Sequence, residues 1–208
     1  RIFTYLALVS MLAVSACDAW LDVKPYDKMS QDELLSTEDG FMKLLNGIYI
    51  ELNSDMLYGG ALSVEMIEIM GGAYTIGTDN TVWVNYADLA EYEYGTDYWR
   101  ARFSETWNKA YSLILNCNLL LENLQEPQVR FTGENYKIIK GEALALRAML
   151  HFDMLRLFGP VYSRNPDMPA IPYYKRYSVV PNDILPASEV ASEILHDLQE
   201  ARILLAND

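Results

Sequence analysis

Residues 71–97 concentrate the side chains of this chain that are best suited to holding a ligand. The segment contains five aromatic residues, five acidic residues and no lysine or arginine. Aromatic rings offer broad apolar faces, and carboxylates and amides pair with hydroxyl groups. Together these groups suit a neutral oligosaccharide, although the rings could instead pack the segment onto neighbouring helices. The predicted contacts are Tyr74, Asp79, Asn80, Trp83, Asn85 and Tyr86, with Trp83 and Tyr86 as the main platforms.

No pattern in the sequence predicts catalysis. A glycosidase needs two carboxylates at a defined separation; Glu65 and Glu68 share one face of a predicted helix, but such a pair is typical of a solvated surface. His151 and His196 are isolated from each other and from any metal-ligand spacing, and we expect His151 to be structural. Cys117 lies in an apolar helical stripe and should be a small buried hydrophobe. We expect no enzyme activity, no metal and no cofactor.

The N-terminal residues have the pattern of a lipoprotein export signal. Residues 2–14 are apolar apart from Thr4 and Ser10, which is shorter than the roughly 20 residues of a membrane-spanning helix. Val14-Ser15-Ala16-Cys17 then resembles a bacterial lipobox, in which the cysteine thiol carries the lipid. We predict a signal peptide at residues 1–16, lipidation of Cys17 and a tether over residues 17–36.

The formal charge of −13 restricts the possible partners. A surface this negative argues against nucleic acids and anionic lipid headgroups, and no basic run is present. It also disfavours a highly acidic ligand such as a sulfated polysaccharide.

Hydrophobic periodicity predicts an all-α domain over residues 37–208. Thr37 is placed to cap the first helix, and Gly159-Pro160 should end the fourth, with the glycine in left-handed geometry. The predicted helical stripes run over residues 41–52, 62–70, 99–124, 134–158 and 188–205. Residues 81–85 are the only strand candidate. Residues 71–97 and 159–186 are predicted to be long loops, and the second carries Tyr173, Tyr174 and Tyr177 as further ligand or partner contacts.

Several segments resemble the SusD/RagB family, in the order in which family members have them. The most specific is a Gly-Glu-Ala…Leu-Arg-Ala helix that runs into Leu-Phe-Gly, behind a lipobox. The matching segments are Trp20-Leu21-Asp22, Leu44-Leu45-Asn46-Gly47-Ile48-Tyr49, Ile114-Leu115-Asn116-Cys117-Asn118, Lys140-Gly141-Glu142-Ala143-Leu144-Ala145-Leu146-Arg147-Ala148 and Leu155-Arg156-Leu157-Phe158-Gly159. The chain departs from the family where Gly-x-Val-Pro-Leu is common and Gly159-Pro160-Val161-Tyr162-Ser163 stands instead.

The resemblance implies a tetratricopeptide-like helical scaffold with irregular insertions. It also implies a lipid-anchored protein on the outer face of the outer membrane, which closes over a SusC-like TonB-dependent transporter and delivers a glycan or, in some members, a peptide. Members are not enzymes, and they are more than twice as long as this chain, so we expect an N-terminal portion. Glu142 and Arg147 would belong to the scaffold. The alternative is a generic helical-repeat scaffold for protein interactions, because helices and loops alone do not specify glycans.

Overall fold

The computed structural model describes residues 30–77, 81–125 and 127–206, and for residues 81–83 it describes the backbone alone. The predicted signal peptide, Cys17 and most of the tether lie outside these residues. The elements are α1 Gln31–Leu34, α2 Glu38–Leu52, α3 Met66–Met70, α4 Thr81–Ala90, α5 Asp97–Asn123, α6 Asn135–Phe158, β1 Pro169–Pro172, β2 Ile184–Pro186 and α7 Ala187–Leu205.

Helix α2 begins and packs as its sequence predicts. The Thr37 side chain accepts a hydrogen bond from the Gly40 amide at 3.1 Å, which satisfies one of the free amides at the helix start. Glu38 and Asp39 lie in the first turn, where the helix dipole favours negative charge. The predicted stripe from Phe41 to Leu52 is buried along its length.

Helices α5, α6 and α7 form the body of the fold. Helix α6 makes its most extensive contacts with α7 and then with α5. Both pairs are antiparallel: Lys140 and Arg147 of α6 pair with Glu200 and Asp197 of α7, and Tyr136 of α6 donates to the carbonyl at the end of α5. The predicted all-α, repeat-like scaffold is confirmed.

Helix α6 ends at Phe158, as predicted, but for a different geometric reason. Gly159 has φ −85° and ψ 168°, so its backbone is extended and not left-handed. A Cβ at this position would lie 2.5 Å from the Leu155 carbonyl oxygen and 2.8 Å from the Leu155 side chain. Glycine is required here by close approach, and Pro160 then prevents the helix from continuing.

The prediction of a loop over residues 71–97, with a strand candidate at residues 81–85, is wrong in its middle part, because residues 81–90 form helix α4. The strands lie instead in the second predicted loop, where β1 and β2 pair antiparallel with an irregularity between Pro169 and Ile171. Helix α3 is shorter than predicted: residues 62–65 form turns, and the helix starts at Met66.

The buried hydrophobic residues form a large cluster and a small one. The large cluster joins α2, α5, α6 and α7 with Ile171 and Tyr173. The small cluster joins the segment before α3, α3, α4 and the start of α5, and consists of Ala61, Met66, Ile69, Leu89 and Trp99. Among the described residues, no helix is both long and apolar enough to cross a bilayer.

Candidate ligand-binding pocket

The segment between α2 and α3 folds into consecutive tight turns that depend on two adjacent glycines. A side chain at Gly59 would overlap the Asn53 carbonyl oxygen, and a Cβ at Gly60 would lie 2.5 Å from Asp55 Oδ1. The Ala61 amide donates to the Asp55 carbonyl at 2.9 Å. Because the backbone of Gly59 to Ala61 packs closely against Asp55, the Asp55 carboxylate is held beside these turns, where it lines the edge of a cavity.

That cavity has a volume of about 790 Å³ and is bounded by the turn segment, α3, residues 74–77, α4 and α5. Three of its lining residues are tyrosines: Tyr74, Tyr86 and Tyr98. We call it the tyrosine pocket. Its other lining residues are Asp55, Gly59, Gly60, Val64, Glu65, Ile69, Thr75, Ile76, Gly77 and Arg102.

The small core cluster positions two of the tyrosines. Trp99 is fully buried, and its indole N–H donates to the Asn85 carbonyl at 2.6 Å, which ties α5 to α4. The Tyr98 ring meets the Trp99 ring edge to face, with centroids 5.0 Å apart. The Tyr86 ring, on α4, has its centroid 6.0 Å from that of Trp99. Such aromatic contacts restrict ring orientation. Tyr86 and Tyr98 are therefore held at the pocket wall by Trp99.

A charged group forms the polar part of the pocket. The Arg102 guanidinium pairs with Glu65 and, at 3.0 Å, with Asp55. The Tyr86 hydroxyl donates to the other Glu65 oxygen at 3.3 Å. Burial lowers the pKa of Arg102, but the hydrogen bonds that it donates to its two carboxylate partners outweigh burial and raise that pKa, so the guanidinium stays charged. Burial, together with the Glu65 charge, raises the pKa of Tyr86.

The solvated-face interpretation of Glu65 is wrong. Glu65 precedes α3, and its side chain is only 11% exposed because it packs against Arg102. Arg102 and Tyr98 lie one helical turn apart on α5, so they face the same cavity. No local pattern indicates the Glu65–Arg102 pair, because 37 residues separate the two.

The structure brings part of the predicted ligand set together. Tyr74 and Tyr86 line the tyrosine pocket. Asn85 lies next to Tyr86 on α4, and its backbone carbonyl accepts the hydrogen bond from the Trp99 indole. Trp83 lies in the first turns of α4, with its side chain outside the described atoms. Asp79 and Asn80, which lie just before α4, are outside the described residues. Ligand contact by these residues stays a prediction.

The tyrosines of the second predicted loop have structural partners. Tyr173 is buried: its ring stacks on His151 at 3.8 Å, and its hydroxyl donates to Asp197 at 2.5 Å. The Tyr174 amide donates to His151 Nε2 at 3.1 Å. Tyr177 is exposed, and its amide donates to Glu122 at 2.9 Å. Tyr173 is therefore unavailable as a ligand platform.

A second large cavity has a different chemical character. It measures about 810 Å³ and lies between α6, α7 and residues 160–162. We call it the apolar groove, because Arg156 is its only charged lining residue among those described. Its walls are formed by Ala148, Met149, Phe152, Leu155, Pro160, Val161, Tyr162, Ala191, Ile194, Leu195 and Leu198. This lining offers little to sugar hydroxyls, so the tyrosine pocket is the candidate ligand site.

The remaining reactive side chains are part of the scaffold. Arg147 is bidentate to Asp197, with both bonds at 2.7 Å, and Glu142 accepts a bond from the Tyr49 hydroxyl at 2.8 Å. Cys117 is buried, and burial raises the pKa of its thiol to about 12. Within the described ranges, no three histidine, cysteine or acidic side chains cluster closely enough to hold a metal ion.

Comparison with known families gives a match over nearly the whole chain. The model of a SusD-like family, described as starch-binding and associating with the outer membrane, matches residues 19–208. The chain belongs to the SusD-like family. The sequence-based resemblance is thereby confirmed. A SusD-like protein of Formosa agariphila is 24% identical over 207 residues, which are 95% of this chain and 36% of that protein.

Solved structures of SusD-like proteins have the same fold. A SusD superfamily protein of Bacteroides vulgatus superposes with a TM-score of 0.64 at 16% identity, covering 83% of this chain and 38% of its own. A SusD-like carbohydrate-binding protein of the same species gives a TM-score of 0.66 at 25% identity, covering 81% and 36%. The chain therefore spans little more than a third of the length of these SusD-like relatives.

Proposed function

We propose that this chain is the N-terminal part of a nutrient-capture lipoprotein that binds an oligosaccharide in the tyrosine pocket. The observation that carries the proposal is a cavity with three tyrosine rings around a carboxylate–guanidinium group, in a chain of a family described as starch-binding. Tyrosine faces suit the C–H surfaces of sugar rings, and Asp55, Glu65 and Arg102 suit their hydroxyls. No part of the proposal requires bond cleavage.

Titration calorimetry with neutral oligosaccharides of glucose, xylose and mannose tests the pocket. We expect binding to at least one of them, weakened about tenfold, or about 1.4 kcal/mol, by Tyr74→Ala and by Tyr98→Ala. Tyr162→Ala is the matched control, because Tyr162 is also exposed but lines the apolar groove and lies outside the tyrosine pocket. Equal affinity of all four proteins would refute this location, and binding of none of the sugars would refute oligosaccharide capture.

Incubation with the corresponding polysaccharides tests the absence of catalysis. We expect the number of reducing ends to stay constant, because the proposed role is binding alone. New reducing ends above a no-protein blank would overturn this part of the proposal.

We further propose that the complete protein is anchored through Cys17 on the outer face of the outer membrane, beside a SusC-like TonB-dependent transporter. The support is the lipobox pattern before residue 17 and the outer-membrane association in the family description. Cys17→Ala should release the protein from the membrane fraction. A label added to intact cells should react with the wild-type protein. Co-purification of the transporter with the wild type tests the partnership.

A further inference from the structure

The charged group of the tyrosine pocket is internally paired. Arg102 and Glu65 are mostly buried, with side chains 14% and 11% exposed, whereas the Asp55 side chain is 70% exposed. One terminal nitrogen of Arg102 reaches both carboxylates, and the other lies 3.6 Å from the Met56 sulfur. The arginine is thus engaged with two acids before any ligand arrives.

The described lining of the pocket therefore carries a net charge of −1. Asp55 and Glu65 contribute two negative charges, Arg102 contributes one positive charge, and the other described lining residues are uncharged. The other arginine on α5, Arg100, pairs with Asp97 at 2.6 Å and is not in the lining of the pocket. No unpaired cation faces the cavity from the described residues.

An anionic sugar would meet two obstacles in this pocket. To reach the guanidinium, its carboxylate or sulfate must displace Glu65, which is left buried without its partner. At the open edge it lies beside the exposed Asp55 carboxylate, and like charges repel. A neutral sugar meets neither obstacle, because its hydroxyls donate to the carboxylates and accept from the guanidinium while the ion pairs stay intact.

We propose that the tyrosine pocket selects uncharged sugars over carboxylated or sulfated ones, and that Asp55 is the specificity-determining residue at its edge. This selectivity rests on the proposed function of the pocket. The Glu65–Arg102 pair provides the neutralised floor, and Asp55 provides the unbalanced charge. Because Asp55 is exposed, its part of the selectivity depends on ionic strength.

Calorimetry with paired neutral and anionic oligosaccharides tests the proposal. The probes are malto-, xylo- and manno-oligosaccharides against oligogalacturonate, oligoalginate and sulfated carrageenan oligosaccharides, at low salt and at roughly 0.5 M salt. We expect a neutral probe to bind at least about tenfold more tightly than any anionic one. Preference for an anionic probe would overturn the selectivity and leave sugar capture standing. Binding of no probe would overturn the proposed function, and the selectivity with it.

Asp55→Asn isolates the proposed residue. The variant should lower the ratio of neutral to anionic affinity about fivefold or more, and that ratio should no longer depend on salt, because the amide keeps a hydrogen-bonding group and removes the charge. Asp183→Asn is the matched control, because it makes the same change in total charge at an exposed residue outside the pocket. If the ratio falls equally in both variants, or in neither, Asp55 is not the determinant. Circular dichroism confirms that each variant is folded.

Discussion

At the scale of single residues, Arg147 connects several elements of the scaffold. Its guanidinium holds Asp197 of α7 with two bonds and the Asn118 side-chain oxygen of α5 at 2.8 Å. Asn118 in turn donates to the carbonyls of Tyr174 and Arg176. Arg147 therefore joins three helices and the segment after β1, which agrees with the scaffold role that the family resemblance assigned to it.

Removing one member of the buried Arg147–Asp197 pair should strongly lower the free energy of unfolding. Asp197→Asn leaves a mostly buried guanidinium without its counter-charge, and we expect unfolding free energy to fall by about 3–5 kcal/mol. Glu200→Gln breaks the partly exposed Lys140–Glu200 pair between the same two helices and should cost less than about 1 kcal/mol. Urea unfolding of both variants measures the difference. Similar losses in the two variants would contradict the central role of the buried pair.

His151 is neutral in the folded protein, and its tautomer follows from its partners. Nδ1 lies 2.9 Å from the Arg147 carbonyl, which can only accept, and Nε2 accepts from the Tyr174 amide. The ring also packs against Tyr173 and Tyr111, and the charges nearest to it are Arg147 and Asp197. Burial lowers the pKa of His151 to about 3.

This shift makes stability depend on pH. Because the folded pKa lies below the unfolded value of 6.5, the unfolded chain takes up the proton first as pH falls. Stability is then complete above pH 6.5 and is lost from that value down towards pH 3. Between pH 7 and pH 5.5 we expect the unfolding free energy to fall by about 1 kcal/mol.

Two histidine variants assign this loss to one ring. His151→Gln should lose the decline between pH 7 and pH 5.5, whereas His196→Gln, at a largely exposed position on α7, should keep it. Chemical unfolding at several pH values measures both. An unchanged slope in His151→Gln would show that the decline arises elsewhere.

The lining of the tyrosine pocket was only partly predictable from sequence. Tyr74 and Tyr86 could be chosen because rings and acids cluster in one segment, and both line the pocket. Asp55 and Arg102 could not, because their proximity depends on how the turns before α3 pack against α5. Local composition indicates a binding segment, but the fold decides which distant charges face it.

At the scale of elements, long amphipathic stripes were predictable and short segments were not. Helices α2, α5, α6 and α7 lie within two residues of their predicted bounds at nearly every end. Helix α4 was missed because its alternating β-branched and aromatic residues favour a strand locally. In the structure Leu89 is buried and Tyr86 packs against Trp99, a helical spacing of three residues that overrides the local preference.

Substitution of two glycines in α2 tests how closely α1 packs against α2. Gly40 lies so near the end of α1 that a side chain would overlap the Leu34 carbonyl, whereas a Cβ at Gly47 meets nothing within 4 Å. We expect Gly40→Ala to lower unfolding free energy by about 1–3 kcal/mol and Gly47→Ala to raise it by about 0.5–1 kcal/mol through helix propensity. Denaturant unfolding compares them. A stabilised Gly40→Ala protein would mean that α1 does not pack against α2.

At the scale of the whole molecule, the two large cavities formed by the described residues have opposite chemistry. The tyrosine pocket lies on the turn segment, α3, α4 and the start of α5, and the apolar groove lies on α6 and α7. They have no lining residue in common. If sugars bind only where rings and charged groups combine, the two cavities should bind different probes independently.

The dye 1-anilinonaphthalene-8-sulfonate measures this independence, because its fluorescence rises on contact with apolar surface. We expect the folded chain to bind it in the apolar groove, where Phe152 and Leu195 are exposed. Leu195→Glu should lower the fluorescence by at least about half, since it removes apolar surface from the groove and its charge repels the sulfonate of the dye. Ile203→Glu introduces the same charge at another exposed position on α7 and should leave the signal unchanged. A saturating neutral oligosaccharide should not displace the dye; displacement would mean that sugar and dye share a site and that the ligand was assigned to the wrong cavity.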